Sequence, residues 1–469
     1  MIGGTSRHRT RGDPRRYRSA IAALVVADVA FAFLQTAVIP ALPTIERDLN
    51  ASASWTAWLL TAYLMLAVVM TPAVGKLGDQ RGRQQMLLIA LLVFLAGSVG
   101  AALSTELWIL IVFRAVQGIG GAIFPLTFAV VRDEVPSERV GTVIGVLTGA
   151  FGIGTALGFG LGGLIAQALS WRMIFGCGAF AVALGVVTIA LLVPRSPTTR
   201  RTHLDLAGAA LLGATAIALL LALTLAPERG WSSAPVIALF IGAFGLGALW
   251  LRCERHADDP LVDLRVVGVG PVLLVNLATI AVGYALFGGY FLLPHLVEAS
   301  ARGYGFGASP TLSGLYLLPA AIGQLVMGPV SGRLTRQLPG RSLFGAGLVL
   351  DAIALALLAF AHAQPWEVLL ASLLLGAGAG LAIQTSSTLV TQGVAAEQTA
   401  VSTALNSTVR RFAGGVGGQV SAALLAAFPG AAAAAPSAFA FTVAFGTAGA
   451  LCLAGAALVG LAPAANARQ

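Results

Sequence analysis

Charge is scarce in this sequence: Asp, Glu, Lys and Arg make up 10% of 469 residues, against 57% hydrophobic residues and a mean hydropathy of +0.88. A soluble globule could not cover its surface with so little polarity, so that class is excluded. Lysine is nearly absent, with Lys76 alone against 27 arginines. Cys177, Cys253 and Cys452 lie far apart, two of them inside apolar runs, so neither a disulfide framework nor a metal framework is indicated. Five histidines are scattered without metal-ligand spacing, and no phosphate-cradling Gly-rich loop ends in Lys-Ser or Lys-Thr. No catalytic group, metal or cofactor is therefore expected, and no enzyme activity. The net charge of +9 does not imply nucleic acid, because the basic residues fall in short clusters between apolar runs rather than on one domain.

What is present is apolar sequence in runs close to the ~20 residues that a helix needs to cross a ~30 Å hydrocarbon core. Continuous runs of that length exclude the alternating pattern of a β-barrel. The fold class is an all-α polytopic membrane protein, and the runs predict fourteen helices. They cover about 20–42, 55–75, 86–103, 107–131, 141–168, 173–193, 204–226, 234–251, 270–297, 312–332, 342–361, 366–391, 401–428 and 437–462. The first run follows six arginines but lacks a small-residue cleavage site, so it reads as a retained helix. Loops after even-numbered helices, with the tails, hold 21 basic residues; loops after odd-numbered helices hold Arg47, Arg172, Arg229 and Arg302. Such an asymmetry predicts a multi-pass protein of the cytoplasmic membrane with both termini in the cytoplasm.

Between the second and third runs stands GKLGDQRGRQQM, Gly75 to Met86, which reads as a tight hairpin loop. A degenerate copy begins at Gly328: Pro72, Gly75 and Leu77 recur as Pro329, Gly332 and Leu334, at an offset of 257. Trp108 and Gly118 recur as Trp366 and Gly376 at 258, and VPSER at Val135 recurs loosely at Val394 at 259. Matches at nearly one offset imply two six-helix halves, residues 1–194 and 260–469, with two further helices in 195–259. A duplicated six-span unit with a site at its interface is an alternating-access architecture.

With these motifs the chain resembles the major facilitator superfamily and, within it, the fourteen-span drug/proton antiporters. Gly75, Leu77, Asp79, Arg81, Gly82 and Arg83 match the superfamily's loop motif, and Arg114, Gln117 and Gly118 match R-x-x-Q-G of helix four. Gly154 to Gly163, which includes Gly158 and Gly162, is similar to the antiporter motif of helix five; WRMIF at Trp171 and RCERHADDPLVDLR ending at Arg265 resemble neighbouring family stretches. The resemblance implies that Gly75, Asp79, Arg81, Gly82 and Arg83 gate the cytoplasmic side, with Asp79 as a latch between halves. It implies that the helix-five glycines seal the outer side, and that Arg114 tunes protonation of a helix-one carboxylate. Two departures stand out: Phe159 replaces the motif's proline, and Leu34 replaces the family's helix-one acid.

The carboxylate inside helix one is Asp28, about 9 Å of rise nearer the cytoplasm than Leu34. Asp28 and Arg114 are thus the candidate proton-coupling residues, since charges inside hydrocarbon are expensive unless they face a partner or water. Asp28, Phe31, Gln35 and Leu42 fall at helical spacing on one face, expected to line a cavity. Helices four, nine and twelve should add Gln117, Asn276, Tyr284, Tyr290, Gln384 and Thr385, rings and amides suited to a bulky amphipathic ligand. Asp351 is a second acid within a span, expected to be structural or to carry a second proton; His295 is expected at the outer interface. The expected function is export of a lipophilic or cationic small molecule, such as a drug or antibiotic, by a monomer in the bilayer in exchange for protons. Leu34 and Phe159 keep open a uniporter or importer of a metabolite. The half-repeats weigh against a scaffold or sensor.

Overall fold

The computed structural model describes residues 14–196, 205–257, 270–300, 304–394, 398–430 and 436–461. Among them are fourteen long helices, in the number and order expected. The first six are α1 (Pro14–Ala37), α2 (Trp58–Arg81), α3 (Arg83–Leu103), α4 (Leu107–Glu134), α5 (Ser137–Ala168) and α6 (Trp171–Leu192). Then come α7 (Leu206–Arg229) and α8 (Ala234–His256). The last six are α9 (Gly270–Glu298), α10 (Pro310–Leu334), α11 (Gly340–Phe360), α12 (Pro365–Gln392), α13 (Thr399–Ala427) and α14 (Ala438–Leu461). Helices satisfy their backbone groups internally, which a chain without water around it requires. Thirteen of the fourteen are long and apolar enough to cross a bilayer; α13, with Asn406, Arg410, Arg411 and Gln419, is the polar exception. The basic N-terminal tail and parts of RCERHADDPLVDLR and VAAEQ fall outside the described residues.

The packing repeats along the chain. α1 lies on α5 and α6, and α9 lies on α13 and α14; α3 lies on α4 and α6, and α11 lies on α12 and α14. Each helix of the first six has its counterpart eight helices later. The two groups meet where α5 packs on α10 and α2 packs on α13. α7 packs on α13 and α2 at this seam, where Thr224 accepts from Trp58 Nε1 of α2 (2.9 Å) and from Gln419 Nε2 of α13 (2.7 Å). α8 packs mainly on α7 and presents most of its surface outward.

Three local departures from the sequence expectation have physical causes. The GKLGDQRGR segment is not a loop, because α2 continues through Arg81 and α3 starts at Arg83. Chain reversal is concentrated at Gly82, whose φ of +101° is open to glycine and strained for other residues. Secondly, α1 ends at Ala37, and a 3₁₀ turn at Ile39–Ala41 containing Pro40 precedes a short helix Leu42–Asp48. The turn resets the helical phase, so Leu42 does not continue the face of Asp28, Phe31 and Gln35. Thirdly, α4 is interrupted by the 3₁₀ segment Gly118–Ala122, where three glycines in GIGGA weaken α-helical geometry.

Gly82 and Gly75 therefore answer differently to the same change. Gly82→Ala places a Cβ 2.9 Å from the Ser196 carbonyl oxygen at a positive φ, and should lower the thermal midpoint of the detergent-solubilised chain, at a cost of about 1–3 kcal/mol. Gly75→Ala, helical with open space around the new methyl, should leave the midpoint unchanged or raise it. Equal melting of the two variants would contradict this account of the hairpin.

Candidate functional site

The seam between the two groups of six is closed at one face and open at the other. At the closed face, far from the arginine-rich loops, a Cβ on Gly163 of α5 would collide with the Pro310 carbonyl of α10, and one on Gly314 would collide with the Phe159 carbonyl. Phe159, standing where the resembling motif has proline, meets Tyr290 of α9 edge to face at 5.1 Å. Two ion pairs cross the same face: Arg47 with Glu298 at 3.1 Å and His295 with Glu46 at 3.2 Å. His295 also turns its Nδ1 to the Phe291 carbonyl at 2.7 Å, so both ring nitrogens face acceptors. Its expected interfacial position becomes a cross-seam one.

Toward the basic face the seam opens. Gly152 of α5 still meets Leu325 of α10, with a Cβ falling 2.5 Å from Leu325 Cδ1. Gly149 and Gly145 precede Gly152 by three and seven residues, and Gly328 and Gly332 follow Leu325 by the same spacings. All four thus share the contacting faces, yet a Cβ on any of them would have nothing within 4 Å. Gly75 on α2 is likewise open. A cavity of about 190 Å³ lies beside it between α2 and α4 of the first group, lined by residues including Thr71, Gly75, Asp79, Arg83, Ala122 and Pro125. The seam is a wedge that widens toward the basic face.

The predicted gating residues stand at the mouth of this wedge. Arg83 holds Asp79 at 3.1 Å and Asp133 of α4 at 2.7 Å, and donates to the Ala129 carbonyl at 3.3 Å. These contacts join α2, α3 and α4 within the first six helices, and Arg81 is exposed. The acceptor predicted to latch the halves is here engaged by Arg83.

Structure does not bring together the predicted proton-coupling pair. Asp28 is fully buried and its two carboxylate oxygens accept from Thr127 Oγ1 of α4 at 3.2 and 3.1 Å. Arg114 lies thirteen residues back on α4, about 20 Å of rise. It is fully buried too: Nε donates to the Leu59 carbonyl (2.7 Å), Nη1 to Gln117 Oε1 (2.7 Å), and the guanidinium sits 5.0 Å from the Tyr63 ring. Arg114 ties α4 to α2, and Asp28 ties α1 to α4. Leu34, at the place of the family's acid, packs against Gly178 of α6 and faces away from the seam.

Several residues predicted to line a cavity bond to neighbouring helices or to their own helix backbone. Gln117 donates to Ser98 Oγ of α3 at 2.8 Å, and Phe31 is enclosed by Phe94 and Phe151. Asn276 accepts from Asn406 of α13 at 3.0 Å, Tyr284 lies beside Thr447 of α14, and Thr385 returns its hydroxyl to the Leu381 carbonyl at 2.6 Å. Gln35 is half-buried and Gln384 exposed. The helix-five glycines divide in two. Gly154, Gly158 and Gly162 seat α1 of their own group, and Gly163 alone of the four seats α10 across the seam. Asp351 is fully buried on α11 against Gly378 of α12.

Sequence reading missed Arg410 and Arg411 of α13. Arg411 reaches across the seam, donating to Thr71 Oγ1 of α2 at 2.9 Å and with both terminal nitrogens to the Gly121 carbonyl of α4 at 3.3 Å. A signal was available. Once the 21 and four loop residues are set aside, the three basic residues left over are Arg114, Arg410 and Arg411, all inside helices.

The sequence matches the description Major Facilitator Superfamily over residues 24–418. It is 34% identical over 379 residues to an uncharacterized MFS-type transporter of Mycobacterium tuberculosis, covering 79% of this chain and 54% of that protein. It is 29% identical over 341 residues to the tetracenomycin C resistance and export protein of Streptomyces glaucescens, covering 71% and 61%. The chain thus spans little more than half the length of these curated relatives. Among solved structures, a peptide transporter POT in complex with sulfate superposes with a TM-score of 0.70 at 16% identity, covering 94% of this chain and 93% of that one. That likeness concerns the fold.

Contact at Gly163 makes the closed end of the seam testable. Gln167 accepts from the Thr311 backbone N–H at 3.3 Å, so cysteines at these two positions should be joined by a short bifunctional thiol reagent in high yield. Adding Gly163→Val should reduce that yield at least fivefold, because the branched side chain forces Pro310 away. Undiminished crosslinking would mean that backbone contact at Gly163 does not hold the seam.

Proposed function

The chain belongs to the Major Facilitator Superfamily, and from that premise we propose that it exports lipophilic small molecules, of the drug or antibiotic kind, in exchange for protons by alternating access. The graded seam carries this reading. Two groups of six helices touch backbone to backbone at one face and stand apart at the other, which is the geometry of a carrier caught with one gate shut. With the arginine-rich face in the cytoplasm, the wedge opens inward, ready to take a compound from the cell or its inner leaflet. The outer gate is then the Gly163–Pro310 and Phe159–Tyr290 contacts together with the Arg47–Glu298 and His295–Glu46 pairs. Asp79 and Arg83 wait at the inner mouth for the closing of the halves. The relative named for tetracenomycin C resistance and export supports the choice of cargo.

Asp28 is the coupling acid in this reading. A charged carboxylate at a span's centre costs about 2.5–3.5 kcal/mol, and Thr127 offers it a hydroxyl rather than a cation. Such a group is served by a proton in one state of the cycle and by water in the other. Arg114 takes a positioning role, because its guanidinium is engaged by Leu59, Gln117 and Tyr63 rather than by Asp28. Among the described residues no cation pairs with Asp28, which favours one rival, a carrier without proton antiport.

Inverted membrane vesicles bearing the full chain separate the two. Uptake of a lipophilic dye should require an imposed pH gradient and should fall at least tenfold in Asp28→Asn, whereas Thr127→Val should shift the pH at which uptake is half-maximal. Uptake that ignores both the gradient and Asp28→Asn would leave facilitated diffusion as the activity.

A further inference from the structure

Two of the three basic residues that lie outside the loops and tails of the sequence reading stand side by side on α13, with no counter-ion among the described residues. Arg410 and Arg411 lie eleven and twelve residues after Thr399, about 17 Å along the helix and so near the middle of a ~30 Å hydrocarbon layer. Both are half-buried. Their hydrogen-bond acceptors are neutral: Ser407 Oγ for Arg410 at 3.4 Å, and Thr71 Oγ1 and the Gly121 carbonyl for Arg411. Among the described residues no carboxylate lies within 4 Å of either guanidinium. Of the two fully buried aspartates within the spans, Asp28 accepts from Thr127, and Asp351 lies on α11 beside Gly378 of α12. Tyr63 lies within electrostatic reach of Arg411 and also carries Arg114 over its ring, so a third cation adds to the same field.

Adjacent like charges in a low-dielectric span are unfavourable unless something negative arrives. The cavity shows how it could arrive, because Thr71 is both the hydroxyl that Arg411 holds and part of the cavity wall. That cavity opens at the basic face, and Ala122, Pro125 and Leu126 supply apolar wall around it. Guanidinium groups bind planar oxyanions bidentately, whereas a cationic ligand here would meet two like charges.

We propose that Arg410 and Arg411 form an anion-binding subsite, and that the cargo is a lipophilic organic anion bearing a carboxylate, phenolate or sulfonate. The inference deepens the export reading and rests on it for the direction of movement, not for the binding itself. It narrows the expected lipophilic or cationic cargo to a lipophilic one that carries negative charge. Arg411 also changes its bonding during the cycle, since the anion takes the place of the Thr71 and Gly121 oxygens that now join α13 to α2 and α4.

Two xanthene dyes of opposite charge, fluorescein and rhodamine 6G, test it on the full chain in phosphatidylcholine nanodiscs, read by fluorescence anisotropy. Fluorescein should bind at least tenfold more tightly than rhodamine 6G. Arg411→Gln, which keeps an amide donor for Gly121, should weaken fluorescein about tenfold without weakening rhodamine 6G, and Arg411→Lys should retain part of the affinity. Thr71→Asp supplies an internal carboxylate to Arg411, so it should raise the thermal midpoint while also costing fluorescein affinity at least tenfold. Equal affinity for the two dyes, no binding of either, or indifference of fluorescein binding to Arg411→Gln would each overturn the proposal. Charge-selective binding without gradient-driven uptake would leave the subsite standing and remove antiport. Gradient-driven uptake of rhodamine 6G alone would do the reverse.

Discussion

At Gly158 and Gly162 the backbone of α5 comes so near α1 that a methyl group on either would collide with the Phe33 and Ala37 carbonyl oxygens. One residue on, about 100° further round the helix, Gly163 brings the same helix against Pro310 of α10. Lipid tails are as apolar as leucine, so helices in a bilayer gain little from hiding apolar side chains from one another. They gain from close contact over a long interface. α5 obtains this on two sides at once, fastening α1 within its own group and meeting the other group across the seam. The repeat answers it: Gly417 of α13 meets Tyr284 of α9 as the α5 glycines meet α1, and α13 in turn reaches α2 across the seam. Where the seam-facing glycines continue toward the basic face without a partner, the molecule is open.

Hydrocarbon also dictates how the polar groups are arranged, since each must find its partner inside the protein. Arg114 meets this demand with the Leu59 carbonyl, Gln117 and the Tyr63 ring, and Gln117 passes the network on to Ser98. Asn406, Asn276, Thr279 and Ser386 form a second network that ties α13 to α9 and α12. Thr224 uses a single hydroxyl to attach the inserted α7 to both sides of the seam. Arg410 and Arg411, like Arg114, have neutral acceptors only, but they stand side by side and sit where the seam begins to open.

The number and order of helices were legible in the sequence, because twenty-residue apolar runs have few other uses. The matches of Gly75 with Gly332 and Trp108 with Trp366 suggested a duplication, and the packing of α1 on α5 and α6 does recur as α9 on α13 and α14. Individual side-chain roles were far less legible. Gln117, Asn276 and Thr385 have the chemistry of ligand-binding residues, yet polar side chains also join membrane helices, and spacing alone does not separate the two uses. The hairpin residues Gly75 to Arg81 looked like loop because they are polar, but charged residues at a membrane surface extend a helix at no cost, and α2 runs on until Gly82.

Composition and periodicity by themselves determined that this chain is a bundle of long, mostly apolar helices, since helices satisfy their own backbone in lipid. The identity of the partners was decided by tertiary structure. Asp28 and Arg114 read as a pair because each is a lone charge in a span, and they lie about 20 Å apart because both are fixed by α4, at sites nearly two-thirds of a membrane thickness from one another. Arg410 and Arg411 read as two more arginines in a polar helix. Only the packing of α13 on α2 and α4 puts them at the seam, where distance and the low dielectric give their charge its consequence.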